Sequence, residues 1–329
     1  MAVRPPKIRS NPHHPFHPRS HPPTRGVAEQ IQSATIHINL SRRADGFRQH
    51  DKASENNTSR RRLTKKPTSP YHPIHHSSFI VHHSLFNFFH KKPAPAAHFG
   101  FLGVDMHSHI LPGIDDGAPD METSMQLIRG LQDMGFRKLI ATPHIYKELY
   151  PNTVQTIRNA LALVHTSVKE AGIDVEIDAA AEYFLDEHFE ELLARDELLT
   201  LPDRHILIEM SFMAPYPKLN EIVFQLCTKG YKPILAHPER YLYYADHPEQ
   251  FERIRDFGCK LQVNTLSLSG YYGKPSQKLA QRLIDSGLIS FLGTDLHHHR
   301  HHENLKAALR DARLVRMMEQ MPTQNNNWL

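Results

Sequence analysis

The sequence predicts an α/β protein built on a parallel sheet, and two observations beyond residue 100 support this. Seven short runs rich in Val, Ile, Leu and Ala alternate with longer amphipathic segments. Such short runs without polar alternation are typical of strands buried on both faces. Repeated strand–helix units in this number favour a closed or nearly closed seven-stranded (β/α)7 barrel over a small open sheet. The predicted strands are 101–107, 138–144, 175–184, 205–211, 232–238, 260–264 and 289–297.

The segments between the predicted strands have the spacing of amphipathic helices. Residues 121–134 place apolar side chains three and four positions apart, and Gly135 follows directly. Glycine is favoured just after a helix because it adopts the left-handed backbone that ends one. The predicted helices are 121–134, 153–171, 186–195, 219–229, 247–257, 276–286 and 302–318.

The first hundred residues differ in composition from the rest. They carry 16 Lys and Arg against 4 Asp and Glu, whereas the remaining 229 carry 23 against 31. They also hold half of the 24 prolines and half of the 26 histidines, with no helical or strand period. Such a segment buries too little apolar surface to offset its chain entropy. We therefore predict a disordered segment over residues 1–95 and one folded domain over residues 96–329.

Four interpretations of residues 1–95 remain open beside a solvated tail. The segment resembles a transit peptide in its basic, acid-poor composition, and the basic stretch 60–66 resembles a nucleic-acid or nuclear-localisation patch. Its histidines are a loose metal-binding alternative. Because no Met occurs between Met1 and Met106, a start site assigned too far upstream is another. We favour the tail or the misassigned start, and do not expect nucleic-acid binding.

The sequence also predicts a cytoplasmic location without membrane insertion. The N-terminus lacks the apolar core of a secretory signal, and no run approaches the roughly 18 apolar residues of a membrane span. The only cysteines, Cys227 and Cys259, lie far apart and form no CxxC pair. This cysteine usage is typical of a reducing compartment.

Most predicted strands carry an ionisable residue near their C-terminal end. Because the carboxyl ends of parallel strands lie on one side of a barrel, these side chains should converge. One such His or Glu alone would more often be structural, but the whole set indicates a site for several metal ions. The set is His107, His109, His144, Glu182, Glu209, His237, Asp295 and His297, with Asp115 and Asp116 just after the first strand.

The types of ligand restrict the metal and the chemistry. Imidazole mixed with carboxylate, without thiolate, suits Mn, Fe or Zn. Several carboxylates can bridge neighbouring ions, and such clusters stabilise the attacking and leaving oxygens when a phosphoester is displaced. Arg240, which follows the fifth strand, offers a fork of donors suited to a phosphate oxygen.

Six motifs in this order and spacing resemble a known family. HSHILPGIDDG, ATPH, AAEYF, LIEMS, AHPERY and GTDLH are similar to the polymerase-and-histidinol-phosphatase (PHP) superfamily. Within it, they resemble the CpsB/CapC/YwqE-type manganese-dependent tyrosine phosphatases of bacterial capsule and exopolysaccharide loci. The resemblance covers residues 101 to about 315, and residues 1–100 have no counterpart in it.

The resemblance implies a distorted seven-stranded PHP barrel that holds three Mn²⁺ ions, with Fe or Zn as alternatives. It implies one ion on His107, His109, Glu182 and Asp295, a second on Glu182, Glu209 and His237, and a third on Asp116, His144 and His297. The spacing to Gly117 favours Asp116 over Asp115 for the third. Glu182 would bridge two ions and act in catalysis with Arg240, which would contact the substrate phosphate.

The implied activity is a protein-tyrosine phosphatase acting on a capsule or exopolysaccharide tyrosine kinase. A cysteine-based mechanism is excluded, since the sixth residue after Cys227 is Pro233 and after Cys259 is Thr265, where Cys-x5-Arg needs arginine. A small-molecule phosphoesterase such as a histidinol-phosphate phosphatase is the main alternative. A metal-binding regulatory or scaffold protein is another, although no expected ligand is missing.

Two local features have a structural interpretation beside the functional one. In HHHRHH (297–302) we expect only His297 to bind metal, and His298, His299, His301 and His302 to form a solvated helix entry. Aromatic residues in loops after strands line a phosphotyrosine groove as often as they pack the core. The residues in question are Tyr241, Tyr243, Tyr244, Tyr271 and Tyr272.

Overall fold

A computed structural model describes residues 98–329, so the predicted disordered segment 1–95 lies outside the described residues. The described strands are β1 (Val104–Ser108), β2 (Lys138–Ala141), β3 (His144–Ile145), β4 (Glu176–Ala179), β5 (Glu182–Phe184), β6 (His205–Glu209), β7 (Lys232–Ala236), β8 (Lys260–Asn264) and β9 (Ile289–Gly293). The described α-helices are α1 (Met121–Asp133), α2 (Val154–Glu170), α3 (Glu187–Arg195), α4 (Leu219–Thr228), α5 (Glu249–Asp256), α6 (Thr265–Leu268), α7 (Lys274–Asp285), α8 (His299–Ala308) and α9 (Ala312–Glu319).

The predicted α/β class with parallel pairing is confirmed, and residues 98–329 form nine strands at the positions of the seven predicted runs. The strands form a three-stranded sheet, β1-β2-β4, and a six-stranded sheet, β3-β5-β6-β7-β8-β9. Every pairing within the two sheets is parallel. All seven predicted runs contain strands, and two of them contain two strands each.

Each of the two divided runs passes from one sheet into the other. Run 138–144 forms β2 and then β3, with Thr142 and Pro143 between them. Proline has no amide hydrogen to donate to a sheet, which interrupts the strand there. Run 175–184 likewise forms β4 and then β5, separated by Ala180 and Ala181.

The first and last strands meet at their C-terminal ends. An isolated parallel bridge joins Ser108 to Leu296, and the His109 amide donates to the Leu296 carbonyl at 2.9 Å. The Asp295 amide donates to the His107 carbonyl at 2.8 Å. These bonds bring the loop after β9 against the end of β1.

Five of the nine described α-helices begin at side-chain caps, and the last predicted helix is divided. Asp120 accepts from the Thr123 amide at the start of α1, which satisfies a backbone donor left free by the helix. The prediction of one helix over 302–318 is wrong, because Asp311 accepts from the amides of Arg313 and Leu314 and begins a new helix, α9.

The apolar core has two parts. The larger packs the helices against the outer faces of the strands. The smaller contains Val104, Met106, Ile140, Leu207, Ile234 and Phe291 from the strands, with Trp328 from the C-terminal segment. Across residues 98–329, none of the helices combines the length and apolar character needed to cross a bilayer.

Candidate metal centre

The structure brings all nine predicted ligands into one cluster, most of them at or after the C-terminal ends of strands, with His144 and Glu182 at the starts of the short strands β3 and β5. Strand pairing does part of this, since His144 on β3 lies directly opposite Glu182 on β5. Four overlapping groups have ligand atoms within 4.8 Å of one another. They are His107, His109 and Asp295; His107, Glu182 and His237; His144, Glu182 and Glu209; and His109, Asp116, His144 and His297.

The first group is fully enclosed by protein. His107 Nε2 lies 3.2 Å from Glu182 Oε2 and 3.4 Å from Asp295 Oδ1. His109 Nε2 lies 3.3 Å and 3.5 Å from the same two oxygens. Two imidazole nitrogens and two carboxylate oxygens therefore face one small volume.

Glu182 also faces a second volume, through its other oxygen. His237 Nε2 lies 2.9 Å from Glu182 Oε1 and 3.9 Å from Glu209 Oε2. A buried carboxylate with one oxygen toward each volume has the geometry of a bridging ligand.

The group of His109, Asp116, His144 and His297 lies nearest the surface. Asp116 Oδ1 is 3.5 Å from both His144 Nε2 and His297 Nε2. His144 also directs its other nitrogen, Nδ1, to Glu209 Oε1 at 3.0 Å. His144 thus stands between the second and third predicted sets, whereas the resemblance assigned it to the third alone.

The adjacent aspartates have different surroundings. Asp115 Oδ2 accepts from His109 Nδ1 at 2.7 Å, and Asp115 Oδ1 accepts from the Gly117 amide at 2.9 Å. Asp115 therefore orients the His109 ring, while Asp116 faces the cluster. A Cβ on Gly117 would lie 2.0 Å from the His109 carbonyl oxygen, so the close return of this loop requires glycine.

Two cluster residues have a left-handed backbone although they are not glycine. His237, directly after β7, has a φ of 34°, and Asp295, two residues after β9, has a φ of 51°. Such conformations cost about 1–3 kcal/mol each and occur preferentially at functional sites. Here they turn two side chains from the strand ends into the cluster.

The histidines and carboxylates of the cluster shift one another's pKa values strongly. Burial alone would raise the pKa of Glu182, but His107 and His144 hold it well below its usual range. Burial likewise opposes the charge on His144, yet Glu209 and Glu182 raise its pKa to about 10. Glu182 is therefore ionised and needs positive charge close by.

The donor set fits divalent cations. Imidazole and carboxylate ligands without thiolate suit Mn, Fe or Zn. His144 Nδ1 is buried and lies 3.0 Å from a Glu209 oxygen. It nevertheless has no hydrogen bond of acceptable geometry to any described residue. A buried nitrogen aimed at carboxylates without such a bond is suited to a metal ligand.

Arg240 lies beside the cluster, held between two aromatic rings. Its guanidinium carbon is 4.1 Å from the Phe212 ring centre and 4.6 Å from the Tyr272 ring centre. Its Nη1 lies 3.4 Å from Asp295 Oδ2, and the side chain is 26% exposed. Arg240 can therefore meet a phosphate at the edge of the cluster.

The prediction of a solvated helix entry is wrong for His301 and His302. Both are buried, at 7% and 8% exposure. His301 Nδ1 lies 3.1 Å from the Asp295 carbonyl oxygen, which supports the loop that carries Asp295. His302 packs against the backbone of α1 at Gly130.

The predicted tyrosines divide between packing and the site. Tyr241 is fully buried, and its hydroxyl accepts from the Met210 amide at 3.0 Å, so it supports the end of β6. Tyr272 contacts Arg240 at the site. Sequence reasoning missed Phe212, the other ring on Arg240, because a loop aromatic has no periodic signal.

Sequence reasoning also missed two buried side-chain amides, Gln262 and Asn264, which contact His107 on β1 and Asp295 in the loop after β9. The signal available was the polar pair within KLQVN, since glutamine and asparagine in a buried strand need hydrogen-bond partners.

Comparisons with known proteins identify the family to which this chain is similar. A family model described as "Capsular polysaccharide synthesis, CpsB/CapC" matches residues 103–320. Tyrosine-protein phosphatase YwqE of Bacillus subtilis is 32% identical over 195 residues, which is 59% of this chain and 77% of that protein. Putative tyrosine-protein phosphatase CapC of Staphylococcus aureus is 27% identical over 247 residues, covering 68% and 96%.

A solved structure is also similar to the chain. It comes from a study of YwqE from Bacillus subtilis and CpsB from Streptococcus pneumoniae, described as unique metal-dependent tyrosine phosphatases. The match has a TM-score of 0.60 and 28% sequence identity, and it covers 68% of this chain and 90% of that chain.

Proposed function

This chain belongs to the CpsB/CapC family of capsular polysaccharide synthesis, and on that premise we propose that it is a metal-dependent protein-tyrosine phosphatase. One observation carries the proposal: residues 103–320, which the CpsB/CapC family model matches, assemble nine imidazole and carboxylate ligands in one cluster, and a relative of 32% identity is named as a tyrosine phosphatase. The substrate class is a phosphotyrosine protein. We further propose that this substrate is a tyrosine kinase of capsule or exopolysaccharide synthesis.

The proposed site uses the residues named from the sequence. His107, His109, Asp116, His144, Glu182, Glu209, His237, Asp295 and His297 would hold the cations, which we propose to be three Mn²⁺ ions, with Fe or Zn as alternatives. Glu182 would be shared between two of them, since its two oxygens face different histidines. The sheet order supports a distorted seven-stranded PHP barrel as the frame, with β2–β3 and β4–β5 each counted as one strand.

In the proposed reaction, water attacks phosphorus and the bond from phosphorus to the tyrosine oxygen breaks. When bound, the cations would supply Lewis-acid stabilisation of the phosphate oxygens and would acidify the attacking water. Arg240 donates from its guanidinium to a phosphate oxygen, where negative charge is present throughout the displacement. The tyrosine oxygen leaves with the bonding electron pair and takes up a proton.

The aromatic contacts of Arg240 favour this role. The rings of Phe212 and Tyr272 hold the guanidinium before substrate arrives, so less side-chain entropy is lost on binding. A cytoplasmic location is part of the proposal, supported by the two free cysteines among the described residues.

The test compares a phosphotyrosine peptide with histidinol phosphate as substrates for metal-stripped protein, before and after Mn²⁺ is added back. We expect release of phosphate from the peptide only with Mn²⁺. Glu182→Ala should abolish it, because the shared carboxylate is lost. Arg240→Ala should lower kcat/KM about 100-fold, which is about 2.7 kcal/mol of transition-state stabilisation.

Matched controls are Glu176→Ala, on β4 with a side chain 63% exposed, and Arg195→Ala, 60% exposed on α3. Both should keep wild-type activity. If only histidinol phosphate is hydrolysed, the same metal site serves a small-molecule phosphoesterase instead of a protein phosphatase. If neither substrate is hydrolysed while Mn²⁺ remains bound, the enzyme proposal is contradicted and a regulatory metal protein is favoured.

A further inference from the structure

Two buried amides on β8 lie behind the first group of the cluster. Gln262 and Asn264 are both fully buried, and they connect side chains from β1 and from the loop after β9. Gln262 Oε1 lies 2.8 Å from His107 Nδ1, and Gln262 Nε2 donates to Asn264 Oδ1 at 2.9 Å. Asn264 Nδ2 then donates to Asp295 Oδ2 at 2.6 Å. We call this row the amide relay.

The direction of every bond in the amide relay is determined by its carboxylate end. Ionised Asp295 only accepts, so Asn264 must present its NH₂ group there and its carbonyl oxygen to Gln262. Gln262 must then present its own carbonyl oxygen to His107. His107 Nδ1 therefore carries a proton, and a neutral His107 has its lone pair on Nε2, which faces Glu182 and Asp295.

The surrounding backbone provides space for the amide relay. Gly293 lies opposite Asn264 in the pairing of β8 with β9. A Cβ at Gly293 would lie 2.8 Å from both Gln262 Nε2 and His107 Cβ. The Asn264 end is anchored as well. The backbone amide of Asn264 donates to Glu239 Oε1 at 3.0 Å, and the Ser267 hydroxyl donates to the same oxygen.

We propose that Gln262 and Asn264 are positioning residues that set the His107 tautomer and the Asp295 carboxylate for a cation held between them. The inference rests on the metal centre of the proposed function, but not on its substrate. A ligand histidine needs its second nitrogen protonated and held, and groups that do so typically contribute about 10- to 100-fold to metal affinity. One relay here serves two ligands, His107 on β1 and Asp295 in the loop after β9.

The decisive variants are isosteric, so they change hydrogen-bond direction with little change in volume. Asn264→Asp places a carboxylate against Asp295 and removes the donor. Gln262→Glu still accepts from His107 but cannot donate to Asn264. Gln262→Met removes both functions and keeps the length of the side chain. Gln225→Glu, on the exposed face of α4, is the matched control.

The measurement is a titration of metal-stripped protein with Mn²⁺, in which electron paramagnetic resonance detects the free Mn²⁺ and calorimetry detects the heat of binding. The calorimetric titration is repeated with Zn²⁺. We expect one class of site to weaken at least about 10-fold in Asn264→Asp and Gln262→Met, to weaken less in Gln262→Glu, which keeps the acceptor for His107, and to stay unchanged in Gln225→Glu. A parallel thermal melt of the metal-free proteins separates this effect from unfolding.

Several outcomes would overturn the inference. One is wild-type affinity and stoichiometry for both cations in the folded relay variants, even if their melting temperatures fall, since that describes a purely structural role. Another is a His107→Ala protein whose Mn²⁺ titration is the same as that of the wild type. Neither depends on phosphatase turnover, so the metal titration and the phosphopeptide assay fail independently.

Discussion

His205 is a buried histidine outside the cluster whose environment disfavours charge. It begins β6 and is 3% exposed. Its Nδ1 donates to the Pro202 carbonyl at 2.8 Å, and its Nε2 lies 3.2 Å from Lys260 Nζ. A protonated ring would place two cations together, so the folded protein holds His205 neutral.

This environment predicts a pH dependence of stability. Burial, followed by Lys260 and Lys232, lowers the pKa of His205 from 6.5 to about 4. Because the folded pKa lies below the unfolded one, the contribution is complete above pH 6.5 and is lost as the pH falls towards 4. After allowance for partial solvent screening, we expect a loss of about 1–2 kcal/mol.

The measurement is urea unfolding with chelator present, at several pH values between 7.5 and 4, for wild type and His205→Asn. Asparagine retains a donor for Pro202 but does not titrate. The stability difference between the two proteins should shrink as the pH falls. His247→Asn, at an exposed histidine, is the control. Parallel pH curves for wild type and His205→Asn would contradict the prediction.

At the scale of single residues, the sequence predicts ionisable side chains at strand ends far better than the groups that orient them. His107 and Asp295 can be identified from the sequence because residues that commonly bind metals are unusual at the ends of apolar runs. Gln262 is not, since its importance lies in the direction of one hydrogen bond. The roles of all nine predicted ligands stay predictions until metal binding is measured.

At the scale of secondary-structure elements, α1 and α8 approach closely where α1 has a glycine. A Cβ at Gly130 would lie 2.2 Å from His302 Nε2. His302 is buried, and its Nε2 has no hydrogen-bond partner among the described side chains. Gly130 therefore makes room for a ring from the neighbouring helix.

Gly130→Ala should lower stability despite the better helix propensity of alanine. The propensity alone would add about 1 kcal/mol, whereas overpacking costs about 1–3 kcal/mol in a buried contact. Thermal or urea unfolding measures the balance. His302→Ala removes the clash, so the double variant should recover the propensity gain relative to His302→Ala alone. A Gly130→Ala protein more stable than wild type would show that the ring moves aside without cost.

Elements with strong periodicity were predicted well, and elements divided by one local feature were not. Helix α1 matches its prediction within a residue. The division of run 138–144 depends on Pro143, and the division of the last helix depends on the Asp311 cap. Both signals are present in the sequence, but the surrounding apolar pattern continues through them.

At the scale of the whole molecule, the alternation of strands and helices predicts the order of the sheet but not how its ends meet. β1 and β9 belong to different sheets. Near their C-terminal ends they meet through the bridge between Ser108 and Leu296. Elsewhere a side chain from the C-terminal segment lies between them, and no periodic pattern in the sequence predicts this contact.

That side chain is Asn325, which is fully buried. Its Oδ1 accepts from the Leu292 amide at 3.1 Å, and its Nδ2 donates to the carbonyl oxygens of Leu292 and Val104 at 2.7 and 3.0 Å. The amide thus substitutes for missing strand pairing between β9 and β1. Trp328 packs beside it, with its ring stacked on Phe291 at 4.8 Å.

Asn325→Leu should therefore weaken both the fold and the metal centre. Three buried backbone groups lose their partner, and we expect the free energy of unfolding to fall by about 2–5 kcal/mol. Since β1 carries His107 and β9 leads to Asp295, Mn²⁺ affinity should fall in the protein that remains folded. Urea unfolding, hydrogen exchange at the Leu292 amide and Mn²⁺ titration measure the three effects. Asn327→Ala, at an exposed position of the same segment, should change none of them. Faster exchange at Leu292 with unchanged Mn²⁺ affinity would show that the metal centre does not depend on this junction between β1 and β9.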